Sequence, residues 1–182
     1  MKKILRNGVE ARLALAGAAL FTLIAGGAAV QAQTLPHQNF LRAVLTPFNQ
    51  VPSVLAPSSG SFQAQVNSDG TIAFTLSYAN MTSSVTQAHI HFGASRTNGG
   101  VMVFLCGGSK PACPASGAIS GTLTAADVST LPSSNTDSVI PQGIQPSDVN
   151  ALLEAIRSGN SYVNVHTSNF PSGEIRGQVN VY

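Results

Sequence analysis

Ser161 to Val179 reads SYVNVHTSNFPSGEIRGQV. Apolar and polar residues alternate in two short runs, one on each side of the Pro171-Ser172-Gly173 turn, which predicts two antiparallel strands. Successive side chains of a strand point to opposite faces. Val163 and Val165 therefore take the apolar face and leave Tyr162, Asn164 and His166 on the other, while Ile175 and Val179 leave Glu174, Arg176 and Gln178 opposite them. A period of two in the stretch that also holds the scarcest side chains sets the class as β.

Working outward, Val85 to Phe92 has the same character, with Ala88, Ile90 and Phe92 on one face and Gln87, His89 and His91 on the other. Val101 to Cys106 is apolar throughout, as a strand buried on both faces would be, and Ala118 to Thr124 is a further strand. The clearest hairpin joins Ser61–Val66 to Thr71–Tyr78 through Asn67-Ser68-Asp69-Gly70. Phe40 to Thr46 is a first strand, after which Pro47, Pro52 and Pro57 punctuate a loop. Thr124 to Val128 reads as a short capped turn of helix. Ser129 to Gln145 carries little pattern. Pro146 to Gly159 repeats apolar residues at helical spacing (Val149, Leu152, Leu153, Ile156), with Pro146 at its start and Gly159 to stop it. Tyr78, Phe92 and Phe104 are expected in the core. These elements predict a mainly β protein, an antiparallel β-sandwich or barrel with one short helix.

The N-terminus differs in character from the rest of the chain. Lys2, Lys3, Arg6 and Arg12 precede an uncharged apolar run, Leu13 to Val30, that ends in Val30-Gln31-Ala32, so residues 1–32 read as a signal peptide cleaved after Ala32. A retained anchor is the other reading of that run. Residues 33–40 are then a flexible tail containing His37, and 41–182 form the β domain, with no stable membrane span after cleavage. Removing the leader leaves five basic and six acidic residues, a net charge of −1. That excludes phosphate-driven nucleic-acid binding and leaves the fold to rest on burial and backbone hydrogen bonds. In the secreted or periplasmic location that the leader implies, Cys106 and Cys113, separated by the turn-rich GGSKPA, are expected as a structural disulfide; their spacing fits no zinc ribbon or redox CxxC pattern.

The motifs resemble one family. Ala88-His89-Ile90-His91 followed by Asn98-Gly99-Gly100-Val101, then Gly121-Thr122-Leu123-Thr124 before Asp127-Val128, then Tyr162-Val163-Asn164-Val165-His166-Thr167 with Pro171-Ser172-Gly173-Glu174-Ile175-Arg176-Gly177-Gln178, are similar to the CHRD domain, named for chordin. The resemblance covers most of Leu41 to Val179, departing at Phe92-Gly93, where the family shows Gly-Pro, and in the Cys106–Cys113 loop. It implies a secreted or cell-surface β module and no defined activity.

The residues themselves suggest a metal site. His89, His91 and His166 all fall on the polar faces of their strands, and if those strands are neighbours three imidazoles converge. Such a set suits copper or zinc, with a further position for water, Glu174 or His37. The alternative is that the histidines are structural and that Glu174 and Arg176 form a partly exposed ion pair. The His-x-His element resembles the copper-binding strand of copper-zinc superoxide dismutase, but four histidines are too few for that enzyme's two-metal site. No G-x-S-x-G, H-E-x-x-H or P-loop is present. The expected function is therefore extracytoplasmic binding of a metal or an unidentified protein or extracellular ligand, rather than catalysis. A protein- or matrix-interaction module with structural histidines is the alternative, and a metal-dependent oxidoreductase comes third.

Overall fold

The computed structural model describes residues 39–115 and 117–182. The segments read as the signal peptide, its cleavage site and His37 lie outside the described residues.

Two antiparallel sheets make the domain, in keeping with the expected β-sandwich. The first has the order β6-β3-β2-β1-β9, formed by β1 (Phe40–Leu45), β2 (Ser59–Val66), β3 (Ile72–Ala79), β6 (Gly117–Leu123) and β9 (Asn180–Val181). The second has the order β5-β4-β7-β8, formed by β4 (Val85–Phe92), β5 (Val101–Cys106), β7 (Ser161–Thr167) and β8 (Ile175–Gln178). The β2–β3 hairpin forms where the Asp-Gly signal placed it. Asp69 Oδ1 accepts from the Thr71 amide at 2.9 Å and its hydroxyl at 2.7 Å, and Gly70 supplies the left-handed residue at φ 81°.

In the first sheet alternate residues face inward: Leu41, Ala43 and Leu45 on β1, Phe62, Ala64 and Val66 on β2, and Ile72, Phe74, Leu76 and Tyr78 on β3. Ala88, Ile90, Val103, Leu105, Val163, Val165 and Ile175 join the same core from the second sheet. Burial of such side chains contributes about 25 cal/mol per Å² of apolar surface, so this one cluster holds the sheets together. Thr46 and Arg176 exchange backbone hydrogen bonds at 3.0 and 3.1 Å, tying the end of β1 to β8 where the sheets meet. Val179, fully buried, is the step by which the chain passes from β8 in one sheet to β9 in the other.

Helix α1 spans Val149–Arg157 and buries Leu152, Leu153, Ala155 and Ile156. It begins later than Pro146, because Ser147 sits at φ 64° and Asp148 is the cap, its carboxylate accepting from the Ala151 amide at 2.9 Å. The capped turn read at Thr124 is a 3-10 turn, Ala125–Asp127, closed by Thr124 and Asp127. Among the described residues, no helix is long and apolar enough to cross a membrane.

Cys106 and Cys113 are bonded, with Cα atoms 5.1 Å apart, closing the loop at the end of β5. Replacing both with serine is expected to lower the unfolding free energy by about 2–3 kcal/mol. Urea denaturation would show it, and an unchanged midpoint would mean that the loop is held by other contacts.

Candidate metal centre

The second sheet settles whether the two histidine stretches meet. Strands β4 and β7 are direct antiparallel neighbours, paired Gln87 with His166, His89 with Asn164, and His91 with Tyr162. His89 and His91 thus share a face, and His166 lies diagonally across from His89. Ring centroids are 4.4 Å apart for His89–His91, 4.5 Å for His89–His166 and 6.5 Å for His91–His166. One ligand nitrogen from each ring lies within 4.8 Å of the others. Metal–imidazole bonds of about 2.0–2.1 Å require the rings to draw in by about an ångström from that span.

This polar face does not look into solvent. All seven residues of β7 are buried, and His89, His91 and His166 are 2%, 7% and 7% exposed. Two covering segments lie in stretches where the sequence pattern is weak. Residues 94–100 form one cover, in which Gly99 and Gly100 permit very close backbone approach: a Cβ at Gly99 would collide with the Phe92 carbonyl, and one at Gly100 with Ser138. Residues 137–142 form the other, through Asp137 O accepting from Val101 N at 2.6 Å and Gln142 Oε1 accepting from Gly100 N at 2.6 Å.

Backbone carbonyls orient two of the imidazoles. Gly99 O accepts from His91 Nδ1 at 2.7 Å and Pro171 O from His166 Nδ1 at 2.8 Å. A carbonyl only accepts, so both Nδ1 atoms carry the proton and both Nε2 atoms present lone pairs. Those Nε2 atoms, together with His89 Nδ1, are buried without a hydrogen-bond partner. Three unsatisfied nitrogens in one place are unusual, because each orphaned buried polar atom costs about 1–3 kcal/mol.

The rings are neutral. Burial pushes His89 well below the usual imidazole value, and His91 and His166 beside it push the same way. Burial likewise lowers His91 to about 3, against the opposing pull of its bond to Gly99. His166 is lowered by burial, with the Pro171 bond and the Asp137 charge opposing. Neutral imidazole is the ligating form, so no proton needs to leave before a cation binds.

A stack of flat groups flanks the cluster. Phe104 meets His89 edge-on at 5.3 Å, Tyr162 lies parallel to His91 at 4.5 Å, and the Arg176 guanidinium lies 3.4 Å from the Tyr162 ring centre. Phe104 is thus buried on the histidine face, whereas Tyr78 is in the core and Phe92 only partly buried against it.

Glu174 and Arg176 are both buried and do not form the ion pair considered from sequence. The Glu174 carboxylate accepts from Thr82 N at 2.9 Å, Thr82 Oγ1 at 2.8 Å and Thr167 Oγ1 at 2.6 Å, which also keeps it out of the histidine cluster. Burial raises its pKa, but these bonds outweigh that and leave it below the ordinary value. Arg176 donates to Asn98 Oδ1 at 3.2 Å, Ala94 O at 3.3 Å and Thr97 O at 2.7 Å, fastening the loop that positions His91. Arg176→Met is expected to cost about 3 kcal/mol, through lost stacking and orphaned carbonyls. A loss under 1 kcal/mol in chemical denaturation would contradict that role.

Sequence reasoning found the three histidines but missed Arg176 as a loop fastener, Tyr162 as a stacking partner and Gln50, whose Nε2 donates to Asn164 Oδ1 at 2.6 Å. The Asn98-Gly99-Gly100 run was the available signal for close backbone packing. Gln50, in a proline-punctuated loop, offered none.

A family model described as the CHRD domain matches residues 41–179. No curated protein and no solved structure matches the chain.

Proposed function

The chain belongs to the CHRD domain family, and from that premise we propose that it is an exported binding protein that holds a copper or zinc ion on His89, His91 and His166. The observation carrying this reading is the set of three buried, neutral imidazoles whose unpartnered nitrogens share one small region. A bound cation would satisfy the unpartnered nitrogens at once. Imidazole suits both metals, and three protein ligands leave a further coordination position open. Export fits the leader read at residues 1–32 and the Cys106–Cys113 disulfide, which persists in an oxidising compartment.

The second reading is a protein- or matrix-interaction module whose histidines serve only the fold. The continuous stack from Phe104 through His89, His91 and Tyr162 to Arg176 favours it, since such packing stabilises without metal. Metal analysis of protein purified from the periplasm or medium, without a histidine tag, separates the two. About one copper or zinc per chain is expected, and metal-free protein that takes up neither ion would leave the interaction module standing.

A further inference from the structure

A cavity of about 530 Å³ opens beside β8, with no histidine in its lining. Its lining includes Phe48, Gln50, Pro52, Arg96, Arg176 and Gln178. Two arginines therefore converge on one recess in a chain poor in charge, and no acidic residue lines it.

Neither arginine is neutralised from within. Arg176 is 2% exposed and spends its hydrogen bonds on the neutral Asn98 side chain and the Ala94 and Thr97 carbonyls, with an aromatic ring against its face. A buried cation without a counter-ion is costly, and an arriving anion would relieve that cost. Arg96 makes no ion pair or side-chain hydrogen bond among the described residues. Its backbone is held at φ 63°, an unfavourable conformation for a residue with a side chain, inside the loop that Arg176 fastens through Ala94 and Thr97. The loop thus carries one guanidinium to the mouth of a recess that has another in its wall.

We propose that this recess binds a small organic acid, its carboxylate held by Arg96 and the field of Arg176 and its apolar part set against Phe48 and Pro52. Guanidinium presents a planar fork of donors that matches a carboxylate. The volume is that of an organic-ligand site and far exceeds what a bare inorganic oxyanion fills. Phe48 is 65% exposed, and it offers an aromatic surface at the rim that an inorganic ion would not use.

The test is calorimetric titration of the purified, metal-free protein with sodium benzoate and, separately, with sodium phosphate at low ionic strength. Benzoate is expected to bind one site with a Kd of about 1 mM or tighter. Arg96→Gln should weaken it at least about fivefold, while Arg157→Gln, an exposed arginine at the end of α1 that does not line the recess, leaves it unchanged. Arg96 is exposed, so its replacement should leave the thermal melt in place and isolate binding from folding. Absence of saturable benzoate binding, indifference to Arg96→Gln, or equal weakening by Arg157→Gln would overturn the proposal. Binding of phosphate without benzoate would overturn the assignment to an organic acid.

Discussion

Replacing any one of His89, His91 or His166 with alanine is expected to cut the affinity of the metal-free protein for Zn(II) or Cu(II) at least a hundredfold, roughly the upper end of what even outer-shell changes cost. The three rings contribute one nitrogen each, and a two-imidazole remnant in a buried pocket has no carboxylate to substitute, because the Glu174 oxygens are engaged by Thr82 and Thr167. Substitution at Gly99 should have a smaller effect through His91. Any side chain there collides with the Phe92 carbonyl, displaces the Gly99 carbonyl and frees the His91 ring to turn, for a loss of about tenfold. Competition titration against a chelating dye measures both effects. If wild-type protein fails to compete, or each alanine variant competes as well as wild type, the histidines are not ligands.

Mild acid is expected to destabilise the metal-free protein well before its carboxylates titrate. The folded-state pKa values of His89, His91 and His166 all lie below the unfolded value of 6.5, that of His91 at about 3. Between those limits the unfolded chain binds more protons than the folded one, so stability rises with pH, is fully present above about 6.5 and drains away as pH falls. Each histidine contributes roughly 1.4 kcal/mol per pH unit over its own window. Between pH 6.5 and 4.5 His91 alone would remove about 2 kcal/mol, and His89 and His166, lowered as well, add losses in the same direction. Glu174 and Asp127, also held below their ordinary values, add their losses only at lower pH. Thermal melts across this range should show a steep decline. A variant with all three histidines replaced by glutamine should show a flatter one, and a wild-type melting temperature constant from pH 7 to 5 would mean that the rings are protonated or solvated in the folded state. Bound metal should raise stability at neutral pH and steepen the acid limb, since protons compete for the same nitrogens.

Much of the fold was legible because its signals are local. Alternation placed β4 and β7, a continuous apolar run placed β5, Asp69-Gly70 placed the first hairpin, and parity assigned Ala88, Ile90, Val163 and Val165 to the core. The helix starts later than Pro146 because a proline permits an N-terminus without requiring one, and the carboxylate of Asp148 with the turn at Ser147 decides it instead. Glu174 and Arg176 were adjacent enough in sequence to suggest a pair. They separated because each found better partners far along the chain, Thr82 for one and the 94–98 loop for the other.

By itself the sequence determined that three histidines lie on polar strand faces, that the two cysteines flank a turn-rich loop, and that the motifs are those of a CHRD domain. Strand periodicity and turn chemistry depend on neighbouring residues only, so they can be read along the chain. Only the tertiary structure decided that β4 and β7 are adjacent in a register that brings His166 beside His89, and that the face is sealed by residues 94–100 and 137–142 rather than open to water. Which strands pair, and what covers them, follows from contacts between distant segments. That burial turns three polar side chains into neutral imidazoles with unpartnered nitrogens.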